Sequence, residues 1–189
     1  MIRALILGLG GVILAGAAAA EGDPAAGRKI AGQCRTCHGL DGYAQIPIAP
    51  HIGGEPAGYL ESQLLAFKTG ARQHEMMTIV AGSLSEQQIA DVAAWYASHE
   101  AVATVTADAA EAPEQCVACH GADGIGQTGD VPNLAGETNI YIDTQLKAFR
   151  LGKRDHEVMS AIAADLTDAE IRAAADWYAA VTLEIEAAP

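Results

Sequence analysis

The sequence predicts an all-α protein built from two tandem copies of one small domain. Three observations carry that expectation: a repeat at constant offset, helix-start and helix-stop signals that recur at the same offset, and no segment with convincing period-two alternation. Cys34, Cys37 and His38 recur at Cys116, Cys119 and His120, 82 positions on in every case. The same offset carries Pro50 onto Pro132, Gly54-Glu55 onto Gly136-Glu137, Tyr59 onto Tyr141 and Gln63-Leu64 onto Gln145-Leu146. Farther on it carries Arg72 onto Arg154, His74-Glu75 onto His156-Glu157, Met77 onto Met159 and Trp95-Tyr96 onto Trp177-Tyr178. No insertion interrupts the register, which excludes chance.

Residues 1–20 read as a secretory signal peptide. Arg3 supplies the charged start, Ala4 to Gly16 is uncharged and mostly apolar, and Ala17 to Ala20 offers the small residues a signal peptidase needs. Cleavage is expected after Ala20, and the apolar stretch falls short of the roughly 20 residues that span a bilayer. No later segment is apolar for long enough to span. The mature chain is therefore expected to be soluble and periplasmic. The first domain is assigned to residues 21–103 and the second to 104–189. A linker is placed in His99 to Glu114, where Ala, Val, Thr, Asp and Glu replace the aromatic and glycine pattern.

Within the first copy, Asp23 is an N-cap candidate with Pro24 at the first helical position, opening a segment that runs into Cys34. A second helix follows Pro56, with Tyr59, Leu60, Gln63, Leu64 and Phe67 at helical spacing and Gly70 as its stop. Its partner runs from about Asn139 to Leu151, stopped by Gly152. The third helix of each copy opens on a capping box, Ser85 to Gln88 and Thr167 to Glu170, and ends near the Trp-Tyr pair. Loops with glycine and proline, Gly39 to Glu55 and Gly121 to Glu137, join the Cys-His motifs to the second helices. No strands are expected.

Acidic residues outnumber basic ones 24 to 11, and loss of Arg3 with the signal takes the formal charge from -13 to -14. Such a chain is a poor binder of nucleic acid or anionic membrane. The acidity fits either solubility or steering toward an electropositive partner. Each copy is of a size at which one hydrophobic core is marginal without a staple. Aromatics make up only 5% of the chain, so something else is expected to fill the core.

Cys34-Arg35-Thr36-Cys37-His38 and Cys116-Val117-Ala118-Cys119-His120 supply it, because both match the C-x-x-C-H pattern of c-type haem attachment. Two cysteines three apart on one turn reach the two vinyl groups of a porphyrin, and the next residue brings its imidazole under the iron. Two disulfides would each close a very short loop and stabilise little. A thioredoxin-like site expects a strand-helix context, and a zinc site would have to join Cys37 to Cys116 across a whole repeat. None of these explains the paired histidines.

Met77 and Met159 stand where a distal ligand is needed, on what reads as the loop between the second and third helices. His/Met ligation fills both axial positions, raises the potential and suits electron transfer. Met76 falls on Val158 and Met77 on Met159, so the repeat selects the second of each pair. The metal ligands are thus expected to be His38, Met77, His120 and Met159. Pro50 and Pro132 are either carbonyl partners of the histidine Nδ1 hydrogens or plain turn prolines. Arg72 and Arg154 are either propionate partners or exposed loop residues, and His74 and His156 read as surface histidines.

These segments resemble the cytochrome c4 family of dihaem cytochromes. The resemblance rests on the doubled C-x-x-C-H-G-x-D-G, on Pro-x-Ile-Gly-Gly at 50–54 with Pro-x-Leu-Ala-Gly at 132–136, on the Tyr-x-x-x-Gln-Leu helices, and on the Phe-x-x-Gly-x-Arg segments leading to the methionines. It covers nearly all of the mature chain. It implies two class I cytochrome c domains, two covalently bound haem c groups facing each other across an interface, and electron carriage rather than catalysis. The implied partners are a membrane quinol-oxidising complex and a terminal oxidase. Similar architectures serve as the electron-accepting subunit of flavocytochrome sulfide dehydrogenases, which would make the partner a flavoprotein. Dihaem peroxidases need an open iron, which a methionine in both copies argues against. Two departures stand out: Pro113, three residues before Cys116, is expected to shorten the amino-terminal helix of the second copy, and Glu55 and Glu137 replace a family glutamine, which is expected to add negative charge near the haem loop.

Overall fold

The computed structural model describes residues 21–187, so the expected signal peptide lies outside the described residues. The chain forms α1 (Pro24–Ala31), α2 (Arg35–His38), α3 (Ala57–Thr69), α4 (Glu75–Ser83), α5 (Glu86–Ala97) and β1 (Glu100–Thr104), then α6 (Glu114–His120), α7 (Asn139–Arg150), α8 (Glu157–Asp165), α9 (Asp168–Ala179) and β2 (Thr182–Glu186). No helix among the described residues is long and apolar enough to cross a membrane.

The helix boundaries follow from local chemistry. Asp23 caps α1 by accepting from the Ala25 amide at 2.9 Å, and Pro24 takes the position where no amide is needed. Both capping boxes form, at Ser85/Gln88 and Thr167/Glu170. Gly70 ends α3 in the left-handed region, φ 83°. Pro113 has the expected effect: α6 starts directly after it.

Each half has its own core, and the two cores use matching positions. Leu60, Leu84, Ile89, Ala93 and Tyr96 fill the first, with Ile30 and Ala31 from α1. Ile142, Leu146, Leu166, Ile171, Ala175 and Tyr178 fill the second. In the first half α1 crosses α5 at Gly27, where a Cβ would overlap the Asp91 carbonyl. Asp91, itself buried, accepts from the Asp23 amide and from Gln87, tying the start of α1 to α5.

Strands correct the helix-only expectation. The stretch read as a linker contains β1, which pairs antiparallel with β2 in the register Glu100↔Glu186, Val102↔Glu184, Thr104↔Thr182. Val102 and Glu184, the central pair, are themselves repeat equivalents. The two strands therefore meet about a pseudo-twofold axis, as the same patch on two subunits does in an isologous dimer. The expected domain boundary at 103/104 falls inside β1, so the chain passes from one half to the other within a strand. A small apolar cluster of Ala135, Val181 and Leu183, joined by Ala101, Ala103 and Ile185, packs around this sheet.

Candidate haem centres and the domain interface

The Cys-His segments are held differently in the two halves. Cys34 is the N-cap of α2, which carries Cys37 and ends on His38. Cys116, Cys119 and His120 all lie on the single helix α6. Cys34 and Cys116 are half-buried and pack against their respective cores. All four cysteines are free thiols. Burial raises the pKa of the Cys34 thiol and pushes that of Cys116 up to about 11, the opposite of the thiolate-stabilising setting a reactive redox thiol needs. Among the described residues no three His, Cys, Asp or Glu side chains converge as a metal cluster, which removes the joint zinc site.

His38 and His120 are buried, at 8% and 7% exposure. Each ring places Nδ1 at 2.9 Å from a proline carbonyl, Pro50 or Pro132, twelve residues on. The carbonyl accepts, so Nδ1 carries the hydrogen and Nε2 keeps its lone pair. Desolvation lowers both histidine pKa values, partly offset by these bonds, so the neutral, ligating form is favoured. This decides between the two readings of the prolines. Free thiols flanking a buried imidazole with an unprotonated Nε2 are the donor set that covalent haem attachment requires, and the residues fit the group.

Met77 and Met159 are not on loops. They sit in the first turns of α4 and α8, helices absent from the sequence reading. The surface histidines open these helices: His74 Nδ1 accepts from the Met76 and Met77 amides at 3.3 and 3.4 Å, and His156 Nδ1 from Met159 at 3.2 Å. Thr78 and Ser160 hydroxyls accept in return from the His74 and His156 amides. A hydroxyl four residues after a histidine was the available signal, but Thr78, Ile79 and Val80 are β-branched and depress helix propensity. On a helix, adjacent residues differ by about 100° rather than 180°, yet burial still separates them. Met76 and Val158 are 60% and 51% exposed, whereas Met77 and Met159 are half-buried, Met159 against the second core beside Cys116.

Arg72 and Arg154 are not exposed loop residues. Each stacks on its own phenylalanine, Phe67 or Phe149, with 4.5 Å from guanidinium carbon to ring centre. Arg72 donates to Gln63 of its own half and to Gln145 of the other, both at 2.7 Å. Arg154 donates to Gln145 at 2.9 Å and to Gln63 and Tyr59 at 3.0 Å. Two guanidinium groups thus share two amide carbonyls across the axis.

Glu55 and Glu137 also correct the sequence reading. Both are buried, at 4% and 3% exposure. Glu55 accepts from the Asn133 amide at 3.0 Å and Glu137 from the His51 amide at 2.8 Å, each bond joining the two halves. Desolvation pushes the Glu55 pKa up to about 8 and holds Glu137 well above the usual carboxyl range, with Glu55 adding to the rise. At neutral pH these side chains keep their protons and add little charge. His51 and Asn133, repeat equivalents, do the same work with different chemistry. His51 Nδ1 accepts from Ala44 while Nε2 donates to Gly136 O; Asn133 Oδ1 accepts from Gly126 while Nδ2 donates to Gly54 O. A cleft of about 450 Å³, lined in part by Gly54, His99, Ile125 and Asn133, contains none of the Cys-His or methionine positions.

The sequence model of the family described as cytochrome c matches residues 24–100, and that described as cytochrome c oxidase, cbb3-type, subunit III matches residues 103–177. The chain is similar to cytochrome c4 of Pseudomonas aeruginosa, 35% identical with 94% of this chain and 96% of the relative covered. It is also similar to a thiosulfate dehydrogenase electron acceptor of Stutzerimonas stutzeri, 33% identical over 78% of both chains. In three dimensions it is similar to reduced recombinant cytochrome c4 from Pseudomonas stutzeri, with TM-score 0.74 and 29% identity over 85% of this chain and all of the other.

Proposed function

The chain belongs to the cytochrome c4 family of dihaem electron carriers, and on that premise we propose that it shuttles electrons in the periplasm from a membrane quinol-oxidising complex toward a terminal oxidase. Cys34 and Cys37 would hold one haem c, with His38 and Met77 as its iron ligands; Cys116 and Cys119 would hold the other, with His120 and Met159. The observation that carries the assignment is the twofold recurrence of one donor set: a pair of free thiols of which the first is half-buried, a buried imidazole with its Nδ1 hydrogen given to a proline carbonyl, and a half-buried methionine in the first turn of a capped helix.

Bound haem supplies one-electron exchange at iron; the protein supplies what tunes it. Pro50 and Pro132 fix the imidazole orientation, and the thioethers of Met77 and Met159 favour the ferrous state. A histidine and a methionine on each iron would keep small ligands off it, which suits a carrier and not a peroxidase. The test is substitution: Met77→Ala is expected to abolish the low-spin His/Met signature of the first haem and let the reduced protein bind carbon monoxide there, with Met76→Ala leaving ligation intact. The reverse pattern would reassign the ligand.

Charge supports docking through the second half. Residues 21–103 carry nine acidic and five basic side chains, residues 104–189 fifteen and five, so the formal charges are -4 and -10. An electropositive partner is steered toward the more acidic half, and the bimolecular rate is expected to fall as salt shortens the Debye length. A rate flat from low to physiological salt would leave the acidity to solubility alone. The likeness to a thiosulfate dehydrogenase electron acceptor favours one second reading, that the electron donor is a sulfur-compound dehydrogenase, with a flavoprotein among the candidates. Isolating the native protein with its bound partner and analysing that partner for flavin or quinol oxidation separates the two.

A further inference from the structure

We propose that each domain tunes the iron of the other, through a hydrogen-bonded relay from a buried glutamate of one domain, across one peptide unit, to the proximal histidine of its neighbour. The proposal rests on the assignment of His38 and His120 as iron ligands and goes beyond it. In the first domain the Pro50–His51 peptide is bonded at both ends. Its carbonyl accepts from His38 Nδ1 at 2.9 Å, and its N–H donates at 2.8 Å to Glu137 Oε1, which comes from the second domain. In the second domain the Pro132 carbonyl accepts from His120 Nδ1 at 2.9 Å, and the N–H of the same peptide, on Asn133, donates at 3.0 Å to Glu55 Oε2 of the first domain.

The two ends of a peptide are electronically linked because the amide is resonant. When the N–H is held by an acceptor, density shifts to the carbonyl oxygen, and serial hydrogen bonds in a low-dielectric interior polarise one another. A more negative proline oxygen pulls harder on the Nδ1 hydrogen. The imidazole then becomes more basic, as other histidine ligands do when their outer partners strengthen, and a more basic ligand favours ferric iron and lowers the potential. The peptide planes are held for this task. On one side His51 bonds to Ala44 and Gly136, and on the other Asn133 bonds to Gly126 and Gly54, so each relay peptide carries a side chain anchored at both ends. Both glutamates are shielded from water by the domain interface. The relay is therefore crossed: Glu137 acts on the His38 iron and Glu55 on the His120 iron.

The test uses the holoprotein with both haems in place and four variants, Glu137→Leu, Glu137→Gln, Glu55→Leu and Glu55→Gln. The potentials of the two irons are followed separately by proton NMR, through the methyl resonances of Met77 and Met159 in the reduced protein. Glu137→Leu removes the acceptor and is expected to raise the potential of the His38 iron, with a smaller change at the His120 iron. Glu55→Leu should do the converse. The glutamine variants replace a neutral carboxyl by an amide oxygen, a stronger acceptor, and are expected to move the same iron by less and in the opposite direction. The Nδ1 proton resonance should shift in the histidine of the opposite domain, which a general loosening of the interface would not single out. Should a leucine variant fail to fold, its glutamine counterpart and that resonance decide. A potential that moves in the glutamate's own domain, moves equally in both, or stays fixed in every variant overturns the relay. Absence of the His/Met signature from the unsubstituted protein would instead strike the ligand assignment, so the two failures are distinguishable.

Discussion

In the first half an eight-residue helix, Pro24–Ala31, lies across α5, whereas in the second half the positions matching Ile30 and Ala31 are Ala112 and Pro113 and the helix begins only at Glu114. The buried Asp91 that ties the first helix down is replaced at its repeat equivalent by Ala173, and the close-crossing Gly27 by an exposed Ala109. Yet the second half keeps its core, its Cys-His segment and the proline-carbonyl bond to its histidine. The comparison teaches that the amino-terminal helix is a separable cover. What the two halves keep in common is the part that grips the histidine and carries the methionine: the Cys-His turn, the glycine loop and the three later helices.

The largest expected effect breaks the first half alone. Gly27→Val forces a side chain into the Asp91 backbone and is expected to cost about 3 kcal/mol or more. The matching Ala109→Val, on an exposed turn, should stay within about 0.5 kcal/mol. Chemical denaturation followed at each haem's absorbance or resonance separates the halves, and equal losses would show that α1 is no special cover. Next comes Asp91→Ala, which strands the Asp23 amide and the Gln87 side chain and is expected to cost about 2 kcal/mol in the first half, read the same way.

The interface gives a pH signature shared by both halves. Glu55 has its pKa raised from the ordinary 4.5 to about 8 by burial, and burial likewise holds Glu137 well above its ordinary value. A raised carboxyl pKa means the folded protein binds a proton that the unfolded chain has released. The stabilisation is complete below about 4.5 and is lost as pH rises toward and through 8, with a slope of at most about 1.4 kcal/mol per pH unit for each group. Thermal unfolding midpoints of the holoprotein should therefore fall across this window, and the double variant Glu55→Gln/Glu137→Gln should flatten the fall. A midpoint that rises with pH there would contradict the buried, protonated pair. The smallest effect sharpens the symmetry: Ser85→Ala and Thr167→Ala each remove one capping box and should each cost about 1 kcal/mol, equally in the two halves.

Much of this architecture is written locally. Asp23-Pro24, the two capping boxes and the stop at Gly70 are interactions within four residues of chain, so composition at those positions suffices to specify them. The Cys-His turns are local too, and the repeat, which compares each position with its own copy, selects Met77 over Met76 as the proposed ligand. The helices α4 and α8 escaped because their histidine caps are uncommon and their β-branched residues argue the other way. What the tertiary structure alone decided lies on the pseudo-twofold axis. The strand Glu100–Thr104 becomes a strand only because its repeat equivalent, Thr182–Glu186, arrives antiparallel beside it; alone it has no partner for its hydrogen bonds. Glu55 and Glu137 read as added negative charge near the haem loops until the other domain covers them, and Arg72 and Arg154 as propionate partners or loop residues until Gln145 and Gln63 come within reach. Local signals fix where the backbone bonds close within one turn. Burial and pairing between residues some eighty positions apart depend on which surfaces meet, and no window of sequence contains both sides.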